Sequence, residues 1–156
     1  MMIRTIEVTG DSGKVYTCVA PTLLPGRQLT HVYVDYFPHG DIDGWFSHNE
    51  QWQKKAIQAM WGEECVVSGS VPADTHEIIN QGMGERKITL VPWNMIRLNH
   101  SAHVQLVHSY KWHVVHWDPL AWPRQLSLVV MDQAGKLVPC WYNKPPMERE
   151  RMRGYR

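Results

Sequence analysis

The chain is short of almost everything that would announce a chemistry. It has three cysteines, Cys18, Cys65 and Cys140, far apart and without a CxxC pair. That spacing excludes a disulfide framework and a cysteine zinc site, and points to reduced thiols in the core. It has no excess of charge: 16 basic and 15 acidic side chains leave a net +1, so no overall field draws it to nucleic acid or an anionic membrane. Nine histidines would make it cationic only in acid, below about pH 6.5. No run approaches the ~18 apolar residues of a membrane span. Met1 to Glu7 also lacks the apolar segment of a secretory signal, so the expectation is a cytoplasmic protein without a membrane partner.

What is present is enough to fold. At 156 residues with 44% apolar and 20% charged side chains, the chain has the size and balance of a single domain. The first twenty residues alternate apolar and polar around Gly10-Asp11-Ser12-Gly13, which predicts a β-hairpin. Leu29 to Phe37 reads as a third strand. Ser47 and Glu50 have the spacing of a capping box, so a helix is expected over about 48–61. Trp52, Ala56, Ala59 and Met60 form its apolar stripe, Glu50 can pair with Lys54, and Gly62 stops it. Asp74 and Glu77 repeat the capping logic for a short helical turn near 75–81. Strands are expected over 64–71, 87–91, 95–98, 102–108, 112–117, 125–131 and 136–141. Residues 143–156 carry five basic and two acidic groups and two prolines, the text of a flexible basic tail.

The fold class that follows is α+β: a predominantly antiparallel sheet of about seven to nine strands, a curled sheet, barrel or sandwich, with one main helix packed on it. A single domain over 1–142 precedes the tail. Arg27 to Asp35 matches Arg124 to Asp132 at five of nine positions; this is either chance among strand-forming residue types or a duplicated hairpin.

Catalytic motifs fail on inspection. Gly10-Asp11-Ser12-Gly13 spells the tetrapeptide around the nucleophile of trypsin-like serine proteases, but only eleven residues precede Ser12, where that family places its histidine and aspartate. A turn accounts for it. Gly82-Met83-Gly84 lacks the Gly-Lys-Ser/Thr ending of a phosphate loop. Asp41-Ile42-Asp43-Gly44 lacks the further oxygen ligands of an EF-hand and reads as an Asp/Gly turn.

Two compositional anomalies remain. Five histidines, His100, His103, His108, His113 and His116, fall within seventeen residues, with Asp118 just beyond. Imidazole is the commonest metal ligand, and His31, Asp35, His116 and Asp118 offer one set for a metal-dependent hydrolase. Their spacing fixes no geometry, so neither a metal nor a cofactor is assigned. The other anomaly is eight tryptophans against two phenylalanines. Trp52 and Trp141 are expected to be structural. Tyr110, Lys111, Trp112, Trp117, Trp122 and Arg124 mix aromatic and cationic groups in the manner of a recognition patch. The first expectation is therefore a small non-enzymatic protein-binding module, an adaptor or inhibitor such as an accessory protein of a mobile genetic element. The metal-dependent hydrolase is the alternative, and a single-stranded nucleic-acid binder, stacking bases on the same rings, is third.

Overall fold

The computed structural model describes residues 5–20, 36–37, 40–80, 88–107, 109–120 and 127–154. The amino-terminal alternation produces the expected hairpin: β1 (Thr5–Thr9) pairs antiparallel with β2 (Val15–Val19), Ile6 opposite Cys18. Gly13 closes the turn at φ +86°. Helix α1 (Ile42–Ser47) follows, started by Asp41, whose carboxylate accepts from Gly44 N at 2.8 Å.

Asp43 on α1 ties this helix to the hairpin. Its carboxylate accepts from Ser12 N at 2.9 Å, Ser12 Oγ at 2.7 Å and the Tyr16 hydroxyl at 2.7 Å. A Cβ on Gly10 would lie 2.2 Å from Asp43 Oδ1, so the protease-like tetrapeptide is a carboxylate-gripping turn that needs its glycine. The Tyr16 and Ser12 hydrogen bonds hold the Asp43 carboxyl below its usual range, and the same Asp43 bond pushes the Tyr16 hydroxyl up to about 12. A depressed carboxyl stabilises the fold above its unfolded pKa, and that contribution fades as pH falls through the folded value. Asp43→Asn should therefore lower the melting temperature at neutral pH, with a deficit that shrinks as the pH falls below the ~3.9 of an unfolded aspartate. A deficit independent of pH would remove the charged bonds from this account.

Helix α2 (Glu50–Trp61) is present, with two local corrections. Its N-cap is Asn49, which accepts from Trp52 N at 2.9 Å; Ser47 instead bonds Gly44 O and ends α1. Its buried positions are Gln53 and Ile57, one step round from the expected stripe. Gln53 tolerates burial because its amide donates to Trp45 O at 2.7 Å. Trp52, expected to be structural, is 39% exposed and stacks on His48 with ring centroids 3.5 Å apart. Lys54 and Glu50 pair at 3.1 Å, and Gly62 caps the end at φ +82°.

The architecture is α+β, but the strands form three small antiparallel sheets among the described residues instead of one large sheet. Beyond the hairpin, β3 (Asp74–Glu77) pairs with β4 (Met95–Leu98), and β5 (Trp112–Trp117), β6 (Leu128–Asp132) and β7 (Leu137–Val138) form a three-stranded sheet in that order. Strand β4 divides two cores. Met95 faces one containing Cys18, Tyr36, Phe37, Trp45, Ile57 and Trp93; Ile96 and Leu98, on the opposite face, join Cys65, Trp117, Leu128, Val130 and Cys140. Trp61 packs against both. All three cysteines are buried free thiols, and burial pushes Cys18 and Cys140 up to about 12.

Other expectations are corrected by tertiary partners. The helical turn near 75–81 is strand β3, because Asp74 to Glu77 pair with Leu98 to Met95. The strand over 64–71 is a loop closed by Cys65 N to Ser70 O at 2.8 Å, with Gly69 at φ +74° under the Trp141 ring. The strand over 102–108 is a π-helical segment (Ala102–Val107), started by Asn99 Oδ1 accepting from Ala102 N at 2.7 Å. Residues 88–91 of the 87–91 strand belong to none of the three sheets. Only Leu137–Val138 of the final strand pairs, and buried Trp141 begins a 3₁₀ turn (Trp141–Asn143). In place of a loose tail, Pro146–Arg153 form helix α3. The repeat at 27–35 and most of the strand over 29–37 lie outside the described residues.

Candidate interaction surface

A bulge in β5 decides which side chains reach the surface. Val114 pairs with Val130 and His116 with Val129, so Val115 is an extra residue. It points out, 43% exposed, and the bulge turns Trp117 to the same face as Val114 and Trp112. Trp117 is consequently a core residue, not part of a surface patch. Its ring is fully buried, its Nε1 donates to Met95 O at 2.8 Å, and it meets Trp61 and Tyr142 edge-on. Trp112 is half-buried against the same core. Trp122 and Arg124 lie outside the described residues.

Tyr110 and Lys111 do reach water. Tyr110 is 74% exposed and holds φ +61°, the one left-handed non-glycine residue among those described. Its N–H closes the turn onto Val107 O at 3.1 Å. Beyond the turn, register places His113, Met131 and Leu137 in one row across β5, β6 and β7. His113 is exposed and Leu137 is 60% exposed, while the opposite row, Val114, Val130 and Val138, packs on the core. Lys136 sits at the Tyr110 end of this sheet, its carbonyl accepting from Asp132 N opposite Trp112. The result is an outer row of His113, Met131 and Leu137 beyond the Tyr110–Lys111 turn, while Lys136 falls in the opposite row with Asp132 and Trp112.

Of the His31, Asp35, His116 and Asp118 set, half is described. His31 and Asp35 lie outside the described residues. His116 and Asp118 are buried, and Asp118 accepts from the Tyr36 hydroxyl and from Leu120 N. A different cluster forms where β3 meets the π-helical segment: Asp74 Oδ2 lies 2.9 Å from His100 Nδ1 and 3.2 Å from His103 Nδ1, and His76 meets the His103 ring edge-on. The His100 and then the His103 bond hold the Asp74 carboxyl below its usual range. Sequence reasoning missed Asp74, twenty-six residues from His100, because it was read as a helix cap. Among the described residues no group of three or more His, Cys, Asp and Glu is arranged to hold a metal ion. Nor, among them, is any helix long and apolar enough to cross a membrane.

No family model, curated protein or solved structure matches this chain. The functional reading rests on the surface itself.

Proposed function

We propose that this chain is a non-enzymatic binding module that docks a protein partner on the Tyr110–Lys111 turn and the outer row His113, Met131 and Leu137. The observation that carries the reading is Tyr110. A non-glycine residue in the left-handed region costs about 1 kcal/mol or more, and such strain persists where the surroundings or the function hold it. Here the strained residue presents an aromatic ring to solvent, beside a lysine and an apolar row. Aromatic anchors are the usual centres of protein interfaces, with charged groups at the rim. Lys111 selects a partner whose apolar surface carries an acidic group at its rim.

Tyr110→Gly separates function from folding. Glycine relieves the backbone, so the variant should be more stable than the parent by up to about 1 kcal/mol in urea unfolding while losing capture of its partner. Untouched chain immobilised in host extract identifies what is retained. The reading requires that one protein be lost on both Tyr110→Gly and Lys111→Glu and kept on Lys14→Glu, which lies on the distant hairpin. Equal retention by all four would remove this surface from the account.

A further inference from the structure

Helix α3 is held to the domain in a way that an ordinary terminal helix is not. It is eight residues long, Pro-Met-Glu-Arg-Glu-Arg-Met-Arg, and buries none of them. Isolated helices shorter than about 12–15 residues are marginal in water, so its order depends on where it docks. The docking is made by two arginines one helical turn apart. The Arg149 guanidinium lies 4.8 Å from the Tyr142 ring centre and 5.2 Å from that of Trp141; Arg153 lies 5.1 Å from Trp141. Arg153 also grips both oxygens of Glu64 through Nε and Nη2 at 2.8–3.0 Å.

The receiving surface is fixed by backbone hydrogen bonds. Trp141 N and Tyr142 N donate to Val67 O and Val66 O, both at 2.9 Å, fixing the two rings against the 65–70 loop. Gly69 leaves room for the indole, since a Cβ there would come within 2.7 Å of it. Glu64 is largely covered, with 15% of its side chain exposed, and so presents its carboxylate in one direction. Beside the rings a cavity of about 220 Å³ is lined by Ser68, Gly69, Ser70 and Trp141 and walled on the helix side by Met152. Two aromatic faces with a carboxylate are complementary to planar guanidinium groups, which stack and fork where an ammonium cannot.

We propose that Trp141, Tyr142 and Glu64 form an arginine-recognition shelf, occupied in cis by Arg149 and Arg153, and that a helical segment of a partner protein carrying two arginines four residues apart takes it by displacing α3. The chain's own helix shows the chemistry and spacing that the shelf accepts. Its lack of buried residues makes it exchangeable, and the Asn143 to Pro145 link gives it a defined pivot. The shelf is separate from the Tyr110 surface and does not depend on it.

The test uses the full chain and a synthetic peptide of residues 143–154. Arg149→Lys with Arg153→Lys keeps the charge but loses the fork and the planar stack. Amide exchange at 147–153 should then accelerate about tenfold or more, with the near-ultraviolet spectrum of the core retained. The arginine peptide should bind that variant about tenfold tighter than the same peptide with lysines at both positions, and Glu64→Gln should weaken it. In the untouched chain, excess arginine peptide should accelerate exchange at 147–153, a reading that survives even if the double variant folds poorly. Unchanged exchange in both experiments, or equal binding of the two peptides, would overturn the shelf. A concentration-dependent dimer of the untouched chain that exchanges α3 between copies would overturn its assignment to a different partner.

Discussion

Trp117→Ala is expected to abolish cooperative folding, or nearly so, under conditions where Tyr110→Gly leaves the domain intact. The two residues stand seven apart in one aromatic stretch, yet the bulge at Val115 sends one into the core and the turn leaves the other in water. Truncating a buried tryptophan to alanine costs about 3–5 kcal/mol in packing. Here the Met95 carbonyl also loses its Nε1 donor, and Trp61 and Tyr142 lose the ring they pack against. Against a total stability of about 5–15 kcal/mol, that loss decides whether the native state is populated. Far- and near-ultraviolet dichroism during urea unfolding measures it. A midpoint within experimental error of the parent would mean that the ring is not a core element. The contrast matters for function, because lost partner capture in Trp117→Ala reports unfolding and says nothing about contact.

What was readable in the sequence is what local physics determines. The first hairpin, the Gly62 stop, the Glu50–Lys54 pair and the β4 and β5 strands follow from alternation, turn residues and helical spacing within a dozen positions. The failures share a cause: the deciding partner is distant in sequence. Gln53 is polar and stands outside the apolar stripe, yet the Trp45 carbonyl makes its burial tolerable. Asp74 reads equally as a cap or a strand residue until β4 supplies Leu98 opposite it. A bulge leaves no signature in WHVVHW: simple alternation puts residues 112 and 117 on opposite faces, whereas Trp112 and Trp117 share one. Of the six patch residues, Tyr110 and Lys111 are exposed at a turn, and the left-handed backbone that singles out Tyr110 has no counterpart in residue type. The docked α3 was missed because its apolar content is low, and the side chains that hold it are the arginines that made it look like a tail.

Asn94 gives the sharpest test of the centre of the fold. It is buried between the two cores, with Nδ2 donating to Ile79 O at 3.0 Å and Thr89 O at 2.9 Å while Oδ1 accepts from Ile79 N at 2.9 Å. Replacing it with leucine keeps the volume but strands Ile79 N and Ile79 O, each at about 1–3 kcal/mol, and takes the Nδ2 donor from Thr89 O while leaving it the Val91 N–H. Asn94→Leu should therefore be among the most destabilising single changes in the chain, although it increases hydrophobicity. Asn94→Asp separates the donor from the acceptor role. The carboxylate can still accept from Ile79 N, but ionised it confronts two carbonyl oxygens with no proton to offer. Protonation restores one donor, so the new carboxyl should have a raised pKa in the folded state. The native state then binds more protons than the unfolded chain, and stability falls as pH rises through the window between the unfolded and folded values. The stability difference between Asn94→Asp and the parent should thus be smaller at about pH 5 than at about pH 7, the same direction as the Asp43→Asn deficit but in a higher pH window. Referring each value to the parent at the same pH removes the common contributions of Asp43 and Asp74. A difference that stays constant over that interval would show that the two Nδ2 hydrogen bonds do not hold the 79–94 junction together.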